Sequence, residues 1–236
     1  MTDRPILVMT YNILGARHQE GLGKLVRQVR PDVLLVNETP KLPVVSYCQC
    51  RRLARDWGLR FRAGGRSAGS NMIVTSDRVA MISASARRIP QPFSKPRRGV
   101  AAIQAELDGQ PIGFVGCHLS LVATSRVHEV REYVLAAADR LEGPVVLAGD
   151  LNETPGKPAW QRILDAGFVD HGGPAELTFP AAVPNRRIDA VLVRGDVTCD
   201  VTVLEHRVAD VDPPLFAQAS DHRPVTALIQ LTQTAT

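Results

Sequence analysis

A layered α/β sandwich, two β-sheets packed face to face with helices on their outer surfaces, is the fold the sequence predicts. Three observations predict it. Ten short apolar runs are spread along the 236 residues, a β-rich count. In the runs Ile6–Ile13 and Pro111–Leu119 both alternating faces are apolar, so both must be covered. Only four helical patterns lie between the runs, enough to cover outer faces but not to separate every pair of strands.

In chain order, Ile6–Ile13 opens the series, with Ile6, Val8 and Thr10 on one face and Leu7, Met9 and Tyr11 on the other. A helical pattern over Gly21–Val29 leads to the run Asp32–Val36, and a second over Tyr47–Trp57 leads to Asn71–Thr75. Val79–Ala86, Val100–Leu107 and Pro111–Leu119 follow as strands. Between Ser125 and Leu141, apolar residues recur at Val127, Val130, Val134, Ala137/Ala138 and Leu141. That spacing of three and four sets one stripe toward a sheet and turns Arg126, Glu129, Glu132 and Arg140 toward water. Val145–Ala148 is a strand, Pro158–Ala166 a helix, and Ile188–Val193, Val197–Leu204 and Pro224–Leu231 complete the strands.

A composition of 44% hydrophobic and 22% charged residues, with mean hydropathy −0.04, can bury a core. No stretch approaches the roughly 18 apolar residues of a membrane span. No repeat, low-complexity tract or long linker divides the chain, so residues 1–236 are expected to form one domain and a monomer. Four cysteines are too few to staple a chain of this length, and Cys48 and Cys50 are too close for a zinc pair. Free thiols and the lack of a basic segment followed by an apolar one at Met1–Ile6 lead us to expect a cytoplasmic protein.

Polar residues stand at the ends of the apolar runs. Asn12 closes the first, Glu38 the second, His118 the run from Pro111, and Asp150 with Asn152 the run from Val145. Arg187 and Asp189 bracket Ile188, and Ser220, Asp221, His222 and Arg223 precede Pro224. Singly, each has an ordinary structural explanation as a turn, cap or ion-pair residue; Asp189 could pair with Arg187. Recurrence at strand ends instead predicts one cleft with acid/base and metal-binding capacity. In extended backbone Asp150 and Asn152 would leave the same face while Leu151 enters the core; Cys117, opposite in direction to His118, is likewise a core residue. Carboxylate and amide oxygens suit Mg²⁺ or Mn²⁺ better than zinc, with Glu38 and Asp221 as ligands and Asn12 close by.

Six motifs stand in this order: Thr10-Tyr11-Asn12-Ile13, Val36-Asn37-Glu38, Gly116-Cys117-His118-Leu119, Gly149-Asp150-Leu151-Asn152-Glu153-Thr154-Pro155, Arg187-Ile188-Asp189 and Ser220-Asp221-His222-Arg223-Pro224-Val225. Together they resemble the endonuclease/exonuclease/phosphatase superfamily, which includes DNase I-like nucleases. The resemblance implies a four-layer α/β/β/α sandwich that hydrolyses phosphoesters with a divalent cation, usually Mg²⁺. By the same resemblance Glu38 is the principal metal ligand, with Asn12 and Asp221 in or next to its shell. Asp150 would orient or deprotonate the attacking water and Asn152 hold a phosphate oxygen. His118 would stabilise the transition state, and His222, its tautomer set by Asp189, would act as base or phosphate contact. The chain departs from the pattern at Cys117 and Asn37. A second acidic metal ligand has only Glu20 as a candidate, so a one-metal site is expected.

The net charge of +4 is unevenly distributed. Between Arg51 and Arg98 twelve cations face only Asp56 and Asp77, a local net of +10. Such one-sidedness predicts a surface for an anionic partner, here a phosphoester substrate and, through segment 51–98, nucleic acid. Substrate contacts are expected from Arg66 and Asn71 on the glycine-bearing turn Gly65–Asn71, and from Arg98 with Arg97 at the start of a strand. Aromatics are few, at 5%, and no loop reads as an apolar wedge flanked by cations. A nonspecific nuclease or a phosphodiesterase of a small molecule or lipid headgroup is therefore favoured over abasic-site repair. The alternatives are a phosphatase of a small phosphorylated metabolite or lipid headgroup and a non-catalytic binding module on the same fold.

Overall fold

A computed structural model of the chain describes residues 4–40, 46–204 and 218–232; Met1 to Asp3, within the segment Met1–Ile6 read above, lie outside them. Among these residues the strands are β1 (Ile6–Asn12), β2 (Val33–Asn37), β3 (Arg60–Gly65), β4 (Asn71–Thr75), β5 (Ala80–Ile89) and β6 (Arg98–Leu107). They continue with β7 (Gln110–His118), β8 (Val145–Asp150), β9 (Val169–Asp170), β10 (Asp189–Arg194), β11 (Val197–Val203) and β12 (Val225–Leu231). The helices are α1 (Gln19–Val29), α2 (Ser46–Asp56), α3 (Ala123–Glu129), α4 (Ala136–Ala138) and α5 (Pro158–Leu164), with a π-helical stretch, Val130–Leu135, joining α3 to α4.

The strands form two six-stranded mixed sheets, ordered β11-β12-β1-β2-β4-β3 and β5-β6-β7-β8-β10-β9. At the centre of each lies one parallel pair, β1 with β2 and β7 with β8, flanked by antiparallel neighbours. Three apolar cores account for the layers. Ile6, Val8, Val33, Leu35 and Ile73 of the first sheet meet Ile103, Ile112, Phe114, Val146 and Val191 of the second. The outer face of the first sheet (Met9, Leu34, Met72) is covered by Leu22, Leu25 and Val26 of α1 and Leu53 of α2. The outer face of the second (Val115, Leu147, Leu192) is covered by Val130, Val134 and Ala138 and by Trp160 and Ile163 of α5. The result is the four-layer α/β/β/α sandwich.

Three elements differ from the sequence reading. The edge strand β3 was not expected, because Arg60-Phe61-Arg62-Ala63 offers only two apolar residues to the sheet; the two-residue β9 is too short to leave a pattern. In the long helix Val130, Val134 and Ala138 are buried as expected, but Val127 is exposed, and Arg126 and Glu129, expected to face water, are buried because Arg126 pairs with Glu153 and Glu129 accepts from Ser120 N.

This architecture also sorts side chains. Along β1, Ile6, Val8, Thr10 and Asn12 share one parity, and the apolar members face the other sheet. By the same alternation Asn37 follows Val33 and Leu35, His118 follows Ile112 and Phe114, Asp150 follows Val146 and Ala148, and Asp189 precedes Val191 and Val193. At one end of the sandwich the inter-sheet core therefore changes from aliphatic to polar.

Candidate active site

Register brings the polar ends together. Asn12 is opposite Asn37 in the parallel pair of the first sheet, and His118 is opposite Asp150 in that of the second. Asp189 pairs with Asp150 across the antiparallel neighbour. Asp150 is the hub: its Oδ2 accepts from Asn12 Nδ2 at 3.1 Å, lies 3.2 Å from His118 Nε2 and 3.8 Å from His222 Nε2. Its Oδ1 accepts from the backbone N–H of Asn152 at 2.9 Å. On the far side, His222 Nδ1 lies 2.8 Å from Asp189 Oδ2, and the Phe179 ring packs against the imidazole with centroids 4.8 Å apart. Arg187 does not compete for Asp189, because its guanidinium is engaged with Asp170 at 3.0 and 2.5 Å.

The loop carrying Asp221 and His222 is fixed to β1 by Ser220, whose Oγ donates to Asn12 O at 2.6 Å. Glu38 follows β2 with φ +56°, a sparsely populated conformation for a non-glycine residue, and its carbonyl accepts from Gly15 N at 2.8 Å. The strained residue is thereby seated beside Asn12. Glu38 and Asp221 carry carboxylates and Asn12 an amide oxygen, which also accepts from Leu14 N at 3.2 Å; hard oxygen atoms of this kind suit Mg²⁺ or Mn²⁺. Among the described residues, Asp150, Asp189 and His222 also bring ligand-capable atoms within 4.8 Å of one another. Those atoms are already committed to the hydrogen bonds just described. Glu20 is exposed in the first turn of α1.

Burial would raise the Asp150 carboxyl, but the adjacent His118, then His222 and the Asn152 amide, outweigh it and hold the group well below the usual carboxylate range. Burial pushes Asp189 up; His222 draws it back, and the charge of Asp150 adds to the rise. Burial would lower His222, yet Asp189 and Asp150 prevail and raise it to about 9. The thiol of Cys117 is pushed up by burial, with the charges of Asp150 and Glu129 adding, as suits a core residue on the outer face of its sheet. A group raised from 6.5 to about 9 in the folded state stabilises the protein fully below pH 6.5, and that contribution is lost as pH rises through 9. The stability difference between wild type and His222→Asn should shrink by up to about 3 kcal/mol between pH 6.5 and 9.5. Thermal melts of both proteins across that range test this; a constant difference would mean that the imidazole is not held protonated.

The remaining expected residues are placed as follows. Strand β8 ends at Asp150, and Asn152 turns away with φ +48°, so the two side chains do not share an extended face as the spacing predicted. Asn152 Nδ2 donates to Leu119 O at 2.9 Å, beside His118, while Leu151 enters the core as expected. Asn71 is buried and spends its amide internally, donating to Ala68 O and Gly99 O at 2.8 and 2.7 Å and accepting from Asn37. It braces the turn from within. That turn approaches β6 so closely that a Cβ on Gly69 would lie 2.1 Å from the Arg98 carbonyl, a requirement only glycine meets at φ +65°. The turn that bears exposed Arg66 thus packs its Gly69 against the Arg98 backbone. Arg98 is buried; its Nη1 donates to Arg97 O at 3.1 Å and its Nε has no hydrogen-bond partner among the described residues. Burial lowers its pKa, opposed by the charges of Asp150, Glu38 and Glu129.

Sequence reasoning missed several supports. Asn37 donates to Cys117 O at 2.8 Å and Asn71 Oδ1 at 3.0 Å, and accepts from Asp150 N at 2.9 Å, so it joins the two sheets beneath the site. Thr178 Oγ1 accepts from the N–H groups of Ile188 and Asp189. Buried Glu153 pairs with Arg126 at 2.8 Å and accepts from Ala159 N at the start of α5. Phe93, fully exposed between β5 and β6 and followed closely by Lys95 and Arg97, is an apolar side chain flanked by cations of the kind not recognised in the sequence. The one available signal for Asn37 was a lone amide closing an all-aliphatic run.

The sequence model of the Endonuclease/Exonuclease/phosphatase family matches residues 9–222, from β1 to the loop of His222. The chain belongs to that family. Membership assigns it to phosphoester hydrolases as a class. Among Endonuclease/Exonuclease/phosphatase structures, a family protein of Bacteroides thetaiotaomicron superposes with TM-score 0.76 at 15% identity, covering 96% of this chain and 95% of its own. The mannosyl-6-phosphatase of Bacteroides thetaiotaomicron VPI-5482 gives 0.72 at 16% identity, with 95% and 99% covered. D. rerio TDP2 complexed with single strand DNA product gives 0.70 at 19% identity, with 95% and 98% covered. These likenesses are likenesses of fold. No curated protein matches the sequence.

Proposed function

We propose that the protein is a divalent-metal-dependent phosphodiesterase acting on nucleic acid, a nuclease, with Asp150 at the centre of its chemistry. The observation that carries this reading is the convergence on one carboxylate oxygen of Asn12, His118 and His222 from three separate strand ends and loops, with Asp189 behind His222. Hydrolysis of a phosphodiester needs a water aligned with the scissile bond, cations against the non-bridging oxygens and donors aimed at developing charge. Asp150, held ionised, accepts a hydrogen bond from the water and orients it. Protonated His222 would donate to the phosphoryl oxygens, its ring held at Nδ1 by Asp189, and His118, whose Nε2 lies against Asp150, would add its second ring nitrogen toward the developing charge. Asn152 holds one phosphate oxygen. Glu38, Asp221 and Asn12 would hold Mg²⁺ or Mn²⁺, which when bound neutralises charge on the phosphoryl group.

Arg98, with its unpartnered Nε, and Arg66 on the adjacent turn supply cations for flanking phosphates. The fold neighbours include one protein named for a sugar phosphate and one complexed with single strand DNA product; the one-sided arginine content of segment 51–98 favours the polyanion for this chain. No helix among the described residues is long and apolar enough to cross a membrane.

The test is turnover of bis-p-nitrophenyl phosphate by purified protein with Mg²⁺ or Mn²⁺. Hydrolysis should appear with the ion, stop with EDTA, and be absent from a folded Glu38→Gln variant. Persistent activity in EDTA or in Glu38→Gln would overturn the metal assignment, and no hydrolysis by wild type under any ion would return the protein to a binding role.

A further inference from the structure

Outside the candidate site, α2 and the edge strand β3 enclose a groove of about 660 Å³ whose lining includes Arg51, Arg52, Arg55, Arg60 and Arg62 together with Tyr47 and Phe61. No carboxylate lines it among the described residues. Asp56 and Asp77 at its margin engage Arg52, Arg55 and Arg60, which leaves a surplus of three positive charges over the pair of acids. Arg51 lies over the Tyr47 ring at 5.8 Å from its centroid, and Tyr47 stands edge-on to Phe61 at 5.3 Å while more than half exposed. Arg62 is skipped in the register between β3 and β4, a bulge that turns it sideways so that its Nε reaches Thr75 Oγ1 at 2.8 Å.

Two structural needs could place cations here, and neither suffices. Charges on an edge strand block pairing with another sheet, which explains Arg60 and Arg62 but not the three arginines on the helix across the groove. A solvated helix face explains arginines, but not an exposed tyrosine set among them.

The groove also leads somewhere. Strand β3 runs from Arg60 to Gly65, where a Cβ would lie 3.5 Å from Cys50 Sγ of α2, and continues directly into the turn that bears Arg66 and packs Gly69 against the Arg98 backbone, next to Gly99, which pairs with His118. At about 3.3 Å per residue, Arg62 lies about 10 Å along the strand from that turn. We propose that this groove is an accessory site for a single-stranded nucleic acid, its phosphates held by Arg51, Arg55 and their neighbours and a base stacked on Tyr47. It feeds the strand along Arg66 and Arg98 to the Asp150 centre. Planar guanidinium forks match phosphate oxygens, and an exposed ring accepts any base without reading sequence. The inference rests on the nuclease reading for its direction but not for its measurement.

Binding of a fluorescent 20-nucleotide single strand, followed by anisotropy in EDTA so that nothing is cleaved, tests it without turnover. In Arg51→Ala/Arg55→Ala the affinity should fall at least about tenfold, and the slope of log affinity against log salt should become shallower by about 1.4, two phosphate contacts at 0.7 each. Tyr47→Ala should lose at least about fivefold with an unchanged slope, as stacking rather than charge is removed. Hydrolysis of bis-p-nitrophenyl phosphate should be the same in all three proteins, since the small ester does not reach the groove. Wild-type affinity retained in both variants, or no binding by wild type, would overturn the proposal. An arginine effect without a tyrosine effect, matched on polyglutamate, would overturn its assignment to a nucleotide strand. If the wild type fails to hydrolyse the small ester while the binding results hold, it is the hydrolase reading that falls.

Discussion

Asp150→Asn should lower kcat on bis-p-nitrophenyl phosphate by at least about 100-fold, the scale of a lost acid/base or water-orienting group, with little change in KM. The carboxylate does two things that the amide cannot. It accepts simultaneously from Asn12 and His118 on one oxygen and from the Asn152 N–H on the other, and it carries the negative charge that His118 and His222 flank. An amide of the same shape must point either its oxygen or its nitrogen at Asn12 and His118. With nitrogen there, donors face donors; with oxygen there, the Asn152 N–H loses its acceptor. The imidazole raised to about 9 also loses one of the charges that hold it there, so the difference in melting temperature between wild type and Asp150→Asn should depend on pH over the same range as for His222→Asn. A variant with wild-type kcat and raised KM would make Asp150 a binding residue and leave the orientation of water to another group.

Much of this centre was legible in the sequence because strand alternation is strict. An aliphatic run of period two fixes the face on which its last residue falls, so Asn12, His118 and Asp150 could be assigned to one edge before any pairing was known. The six-strand composition of each sheet was less legible: β3 has two apolar residues and is held at an edge by β4, so most of its face remains polar. Asn152 was misdirected by the assumption of extended backbone, where the strand in fact yields to a turn closed by the Asp150 side chain itself. Asn71 could not be told from a ligand-facing amide, since the two carbonyls it satisfies, Ala68 and Gly99, come from segments that approach only in three dimensions. The choice of Asp170 over Asp189 as partner of Arg187 is equally nonlocal, and it is what leaves Asp189 to His222.

Asn37→Leu should be among the most damaging substitutions in the chain, though Asn37 faces no substrate. Its side chain leaves β2 toward the opposite sheet and there satisfies the Cys117 carbonyl, the Asn71 amide oxygen and the N–H of Asp150, all of them buried. Leucine would fill the space and strand three polar groups, each costing about 1–3 kcal/mol when left unpaired without water. Partial relaxation lowers the sum, so a loss on the order of 3–5 kcal/mol is expected by chemical denaturation, at the severe end for a point change. The activity prediction is separate. Because Asn37 anchors the Asp150 backbone, a shift of about 1 Å there would displace the carboxylate from Asn12 and His118, and misplacement of that size costs about 100-fold in rate. Both effects should appear together, at temperatures where the variant is still folded by circular dichroism. A destabilised variant with wild-type kcat would show that the two sheets hold Asp150 in place without this amide.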